Sequence, residues 1–463
     1  MLSDYEAIRE LIPHGIATDL RDAARLAITS GVDMDMMSYA YADHLAELVS
    51  GGIVHEAVVD EAVRRILQLK LQLGLFEQPY TDEALPGKII LRPDFQDLAL
   101  RAAHESMVLL KNDSSILPLP RNTRRIALIG PLADNRADLL GCWTAFGRKD
   151  EVETILEVIA SFVESPTSIV HVSGCPIAGD GPDNILPAIE AARSADIIVA
   201  LLGESAGMSG EAHCRAHLGL PGRQQELLDA LAATGKPIVG VLLSGRPLII
   251  PRMLDQVDAL LLAWHSGVCT ARAVADILFG VVNPSGKLTT TWPRAEGQIP
   301  IYYAHKNTGR PAQGEGTRQF EEPFKSRYMD ELNEPLFPFG FGLSYTTFAY
   351  SNLVVETPIV AHDGSLVVTA TVRNTGSRTG DEIAQLYVRD LVASVTRPVK
   401  ELKGFQRVTL APGEERRLRF ELEVSELGFS GPDMRYTVEP GAFRVWIGPD
   451  STQGLVGAFT LEG

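Results

Sequence analysis

The run "DIIVALLG" (196–203) decides how this chain is read, because Ile197 to Leu202 are all apolar and Gly203 closes the run. It is too short for an ordinary helix, and it does not alternate apolar with polar. An unbroken, β-branched-rich run of this length is the pattern of a strand buried on both faces. Working outward, "RIALIG" (125–130), "SIVHV" (168–172), "PIVGVLLSG" (237–245) and "DALLLAW" (258–264) repeat it. Helical stretches at 184–193, 223–233 and 271–279 lie between them. Strand and helix alternating in this way predict an α/β domain with a mostly parallel sheet over 96–292. Such sheets place their sites at the carboxyl ends of the strands.

On the amino-terminal side, "QDLALRAAHESMVLLK" (96–111) reads as a helix, and 76–94 reads as a proline-bearing connector. Residues 19–29 read as an amphipathic helix, with Asp19 as its cap and Ala23, Leu26 and Ala27 on one face. "SGVDMDM" (30–36) reads as a short strand. Residues 56–73 read as a helix ended by Gly74, with Val59, Val63, Ile66, Leu67 and Leu73 as its buried stripe. Residues 1–75 therefore form a βαβα piece. On the carboxyl-terminal side, 293–350 is rich in Pro, Gly and aromatic residues and reads as an ordered connector. The stretches 365–374, 382–390, 415–424 and 441–448 then alternate as short strands. They predict a β-sandwich of immunoglobulin-like or fibronectin-III-like type over 351–463.

A net charge of −17 argues against nucleic acid as the partner, since phosphate binding needs basic patches. No apolar run reaches about 18 residues, so no membrane-spanning helix is expected. The acids at 4, 6, 10 and 19 argue against a secretory signal at this start, and the compartment stays open. Cys142, Cys175, Cys214 and Cys269 follow no metal or disulfide spacing.

Two acidic positions stand out. Asp4 lies between a strand stub and a helical region, where it is either an acid at the working end of a strand or a helix N-cap. The loop "GESAGMSGEAHCRAHLGLPG" (203–222) follows the central strand run and carries Glu204 and Glu211. Glu204, at the strand end, reads as the structural acid, and Glu211, in mid-loop, as the one able to reach across to another domain. His213, Cys214 and His217 superficially resemble metal ligands, but no H-E-x-x-H helix supports them, and no metal site is expected. "GVVNPSGKL" (280–288) fails the phosphate-loop spacing, and no G-x-G-x-x-G follows the first sheet strand. Nucleotide binding is disfavoured, and no cofactor is expected.

Taken in order, several segments resemble one family. They are "LSDYEAI" (2–8), "SGVDMDM" (30–36), "ESMVLLKND" (105–113), "IALIGPLAD" (126–134), "NPSGKL" (283–288) and "YYAHKNTGRP" (302–311). "PFGFGLSYTTF" (338–348), "VRNTGSRTGDEIAQLYV" (372–388) and "RPVKELKGF" (397–405) complete the series. The chain resembles the carboxyl-terminal two-thirds of family 3 glycoside hydrolases, the bacterial three-domain β-glucosidase type. The resemblance implies that 1–75 is the carboxyl-terminal remnant of a (β/α)8 barrel, which takes about 250 residues when whole. It thus reads as amino-terminally truncated, with Met1 an internal methionine of a longer strand; the compartment is left unknown, a true start upstream being compatible with a periplasmic or extracellular protein.

By the same resemblance Asp4 is the catalytic nucleophile, in a family S-D motif where Tyr5 replaces the usual Trp or His as a wall of the sugar pocket. Glu211 is the acid/base, four residues before the substrate-side Arg215 and just before "LPG" (220–222). A retaining glycosidase of this kind needs its two carboxyl groups about 5–5.5 Å apart. The nucleophile must be ionised, and the acid/base needs a raised pKa that partial burial can supply. The implied substrate is an oligosaccharide or glucoside carrying terminal β-linked glucose. A β-xylosidase and a non-catalytic carbohydrate-binding or structural remnant stand as alternatives. A separately encoded barrel half or a homo-oligomer is the implied protein partner.

Overall fold

The structure is a computed structural model that describes residues 1–164, 168–179, 181, 183–311 and 324–463. The chain divides into two compact units, Met1–Arg92 and Pro93–Gly463.

In the first unit, β1 (Leu2–Tyr5) and β2 (Met34–Met36) form a two-stranded parallel sheet. A short helix α1 (Ala7–Glu10) follows β1, and α2 (Leu20–Thr29), α3 (Ala40–Ser50) and α4 (Glu56–Gln72) carry the rest, with α5 (Leu85–Ile89) beyond them. Asp19 caps α2 as expected, its carboxylate accepting the Asp22 N–H at 2.8 Å. Three expectations change. The strand of "SGVDMDM" is confined to 34–36, because Gly31 takes φ +92° and breaks the extended run. Helix α3 was not foreseen. The expected buried stripe of α4 lies largely in the open. Ala62 alone is buried on this helix, while Val63, Leu67 and Leu73 are exposed. The core of this unit instead gathers on α2, around Ala23, Ala24, Ala27 and Ile28, with Leu48 of α3.

The second unit begins with α6 (Pro93–Ser106) and β3 (Val108–Asn112), where one helix over 96–111 was expected. "MVLLK" joins the sheet instead, because a short apolar run serves equally as buried helix or strand and tertiary pairing decides. The sheet continues with β4 (Arg125–Ile129), α7 (Ile155–Phe162), β5 (Ser168–Val172), α8 (Ile185–Ser194) and β6 (Ile197–Gly203). Then follow α9 (Gln224–Ala232), β7 (Ile238–Leu243), α10 (Pro251–Gln256), β8 (Ala259–Leu262) and α11 (Thr270–Leu278). The spatial order is β3-β8-β7-β6-β4-β5, parallel throughout except for β3 against β8. Helices cover both faces, and each face has its own core, one around Leu128, Val199, Leu201 and Val241, the other around Ile129, Ile198, Leu202 and Leu242. Each such side chain, fully buried, contributes about 1.5–3 kcal/mol. The chain runs outward from β4 to β5, then crosses back to lay β6 on the other side of β4. The carboxyl ends of β4 and β6 therefore flank the topological switch point.

Of the expected connector at 293–350, residues 312–323 lie outside the described residues. The sandwich that follows packs a three-stranded sheet, β14-β11-β9, on a five-stranded one, β10-β18-β17-β12-β13. Its strands are β9 (Phe348–Val355), β10 (Ile359–Val360), β11 (Ser365–Asn374), β12 (Gly380–Asp390), β13 (Glu401–Leu410) and β14 (Glu415–Glu423). A small hairpin, β15 (Phe429–Ser430) and β16 (Tyr436–Thr437), precedes β17 (Gly441–Gly448) and β18 (Leu455–Leu461). The fold is thus α/β with a carboxyl-terminal fibronectin-III-like β-sandwich. The sandwich is tied to the α/β part by buried polar groups. Glu382 accepts the Tyr350 hydroxyl at 2.7 Å and lies 3.3 Å from Lys287 Nζ, which donates to Gly342 O at 2.9 Å. Nearby, Arg407 pairs with Glu105 at 2.7 Å.

Candidate active site

Within the first unit, Asp4 sits at the carboxyl end of β1 and is exposed. Its Oδ1 accepts the N–H of Tyr5 at 2.7 Å. The neighbouring Ser3 Oγ donates to Asp4 O at 2.9 Å and accepts the Met36 N–H at 2.8 Å. These bonds hold the strand end and leave the acid to solvent. Asp4 is not a helix cap, for the N-cap of α1 is Glu6, in left-handed conformation and without a side-chain cap bond. Tyr5 stands exposed beside it. In the same unit, Asp33 is paired with the Met1 amino group and, at 2.7 Å, with Arg65, and these two cations, the amino group first, hold its carboxyl below the usual carboxylate range. Burial, with Asp35 and Asp33 nearby, pushes the pKa of the Tyr41 hydroxyl up.

Within the second unit, Glu211 lies on the loop after β6, at the switch point. Gly203 allows the strand ends to close up, since a Cβ there would fall 1.8 Å from Leu243 O. Gln224 then ties the two stems of the loop together. Its Oε1 accepts the Gly203 N–H at 2.7 Å, and its Nε2 donates to Gly203 O at 2.7 Å and Ile177 O at 2.8 Å. Glu204 follows, wholly buried. Its carboxylate accepts from Arg215 Nη1 at 2.6 Å and from Ser244 Oγ at 3.0 Å, with Ser209 Oγ at 3.4 Å. Arg246 Nε stands 3.3 Å from it, at ion-pair distance without hydrogen-bond alignment. Glu204 is thus enclosed by ion-pair and hydrogen-bond partners inside the loop stem.

Glu211 itself is exposed and sits between two residues in the left-handed region, Gly210 at φ +116° and Ala212 at φ +60°. An alanine held there costs about 1–2 kcal/mol, so the surrounding bonds must impose it. Arg246 Nη2 supplies them, donating to Met208 O and, at 2.8 Å, to His213 O. The partial burial asked of an acid/base is not provided within this unit. Arg215, read from sequence as a substrate-side residue, spends Nη1 on Glu204 and Nη2 on Gly219 O at 3.0 Å. His213 turns to Ser209 O at 3.2 Å, while His217 faces Glu296 at 3.7 Å. Among the described residues, no group of three or more His, Cys, Asp or Glu has the arrangement of a metal site.

Sequence reasoning missed Asp138, Ser244, Arg246 and His265. Asp138, in the loop after β4, accepts the Ala206 N–H at 2.7 Å. His265, after β8, lies with Nε2 at 3.2 Å from Glu204 O, and burial depresses its pKa. A neutral ring facing a carbonyl must carry its proton on Nε2. The one available signal was their position at strand carboxyl ends.

Family models match three stretches. They are the glycosyl hydrolase family 3 N terminal domain at residues 1–69, the glycosyl hydrolase family 3 C-terminal domain at 107–345, and the fibronectin type III-like domain at 382–451. A periplasmic beta-glucosidase of Salmonella typhimurium is 41% identical over 99% of this chain and 63% of its own length. A beta-xylosidase of Formosa agariphila is 36% identical over 95% of this chain and 61% of its own. The crystal structure of a beta-glucosidase from Listeria innocua in complex with glucose superposes with a TM-score of 0.92 at 37% identity, covering 100% of this chain and 62% of that one. The chain therefore spans a little over three-fifths of the length of these relatives.

Proposed function

The chain belongs to glycosyl hydrolase family 3, and on that premise we propose that it serves the retaining hydrolysis of terminal β-linked glucose from oligosaccharides or glucosides. The observation that carries the reading is the exposed Asp4 carboxylate at the carboxyl end of β1, in a segment that the family's N terminal domain model covers.

In the first step, an Asp4 oxygen attacks the anomeric carbon while the bond to the leaving oxygen breaks. Glu211 delivers its proton to that oxygen, so an alcohol departs and a glycosyl ester of Asp4 remains. In the second step, the Glu211 carboxylate takes a proton from water. The water oxygen bonds to the anomeric carbon, the ester bond breaks, and Asp4 returns as a carboxylate. Tyr5 serves as an aromatic wall for the sugar, and Arg215 shapes the substrate side of the Glu211 loop. The protein partner is a barrel half or a further copy of the chain that supplies neighbours to β1 and β2, which pair with each other alone among the described residues.

The test is covalent trapping with 2,4-dinitrophenyl 2-deoxy-2-fluoro-β-glucoside, followed by peptide mass mapping. It is run on the chain alone and on the chain mixed with the part of the Salmonella typhimurium relative that this chain does not span. A fluoroglucosyl adduct on Asp4 in either arm is the expected result. An adduct on another residue overturns the nucleophile assignment. Absence of any adduct in both arms favours a non-catalytic carbohydrate-binding role. The Formosa agariphila relative gives a second reading weight, and faster labelling by the corresponding β-xyloside would select it.

A further inference from the structure

We propose that Glu204 is a positioning residue that keeps Glu211 available as a proton donor, by holding the cationic partners of the loop away from it. The proposal rests on the acid/base role of Glu211 given above.

Three observations carry it. First, the Glu204 carboxylate is wholly buried and stands against two guanidinium groups, Arg215 at 2.6 Å and Arg246 at 3.3 Å. A buried carboxylate is tolerated only when it is paired, and here the pairing is shared between two cations. Second, both arginines hold the turn that presents Glu211. Arg246 donates to Met208 O and His213 O, carbonyls on either side of it. Arg215 lies four residues beyond it and fastens Gly219 O. Third, Glu204 is itself fixed from several strand ends. Ser244 Oγ after β7 lies 3.0 Å from its carboxylate and shares its proton with Arg246 O at 2.6 Å, and His265 after β8 donates to its main-chain carbonyl. Asp138 after β4 takes the N–H of Ala206, two residues on.

A single carboxylate thus balances two guanidinium groups behind the turn. Once its charge is removed, Arg215 and Arg246 are left with no carboxylate, and Glu211 is the next acid along the same loop. An ion pair between Glu211 and either arginine would consume the carboxylate that must carry a proton to the leaving oxygen. Glu204 therefore sets which acid the arginines hold.

The experiment compares Glu204→Gln, Arg246→Gln and the unaltered chain, in whichever preparation of the trapping test is active. The first readout is kcat/KM for aryl β-glucosides of falling leaving-group acidity. Proton donation contributes about 10²–10⁴-fold where the leaving group needs it and little where it does not. Glu204→Gln should therefore lose about 10²-fold on phenyl β-glucoside and only about threefold on 2,4-dinitrophenyl β-glucoside. Uniform loss across the series would mean a merely structural role and overturn the proposal. The second readout needs no activity. Amide hydrogen exchange over 205–219 should quicken about tenfold in Glu204→Gln, while β6 and β7 stay protected. Unchanged exchange there overturns the proposal even if turnover falls. If Glu204→Gln does not fold, Arg246→Gln carries the test, since its side chain reaches the surface and its loss should release the same amides. An inactive unaltered chain with faster loop exchange in both variants would sink the glycosidase reading and leave the anchor standing.

Discussion

The strand end that carries Asp4 and the loop that carries Glu211 hold their acids by different means. Asp4 sits on a sheet of two strands, where a few backbone bonds and one serine fix the strand end. Glu211 sits on an irregular loop that gains definition from a buried ionic cluster, gathered from the ends of several strands of a six-stranded sheet. A regular strand places a side chain through its own pleat, so few outside contacts are needed. An irregular loop has no such device, and each departure from extended backbone must be imposed by a partner. The surroundings differ in the same sense. Leu201 on β6 is wholly buried between two helical layers, while Leu69 on α4 and Leu73 at its C-cap are mostly exposed within their own unit, beside a shallow groove lined by Val63, Leu67 and Leu71.

The strongest way to break the comparison is catalytic. Asp4→Asn should lower kcat about 10⁴-fold or more on every aryl β-glucoside, because no second nucleophile replaces it. Glu211→Ala should cost about 10²–10⁴-fold on poor leaving groups and far less on 2,4-dinitrophenyl β-glucoside. If the two variants fall alike across the series, the division of labour between the two acids is wrong.

Packing gives the next effect. Leu201→Ala should destabilise the second unit by about 2–5 kcal/mol, read as a lower denaturant midpoint. Leu69→Ala, on the open face of α4, should stay within about 0.5 kcal/mol. A large effect of Leu69→Ala would show that its face is covered in solution.

Local capping is worth less. Asp19→Ala removes the bond to the Asp22 N–H and should cost about 1 kcal/mol in the unfolding of the first unit. The smallest expected effect concerns pH. Burial depresses the His265 pKa below its ordinary 6.5, so the unfolded chain binds the proton more readily than the folded one. Its contribution is complete above about pH 6.5 and is lost as pH falls through the depressed value. His265→Gln should therefore flatten the decline of the second unit's thermal midpoint between about pH 7 and pH 5. An unchanged slope would mean that other groups govern acid sensitivity.

Much of this molecule is written locally. The strand runs at 125–130, 168–172 and 196–203 are legible because burial on both faces demands continuous apolar residues. The sandwich strands 365–374 and 441–448 fall where alternation places them, and Asp19 acts as the cap it resembles. Local signals failed where two structures satisfy one pattern. "MVLLK" became strand β3 through pairing with β8, and the apolar stripe of α4 was left open, because periodicity states which residues share a face and not what covers it. The Glu204 cluster lay beyond sequence reasoning for a related reason. Glu204, Ser244 and His265 are separated by 40 and 21 residues, and no periodicity links them. Only the parallel stacking of β6, β7 and β8 brings their carboxyl ends together, and the reversal of strand order at β4 and β6 puts the Glu211 loop at the switch point. Residue types and element positions are local properties of the chain. The charge balance around an acid belongs to the sheet as a whole.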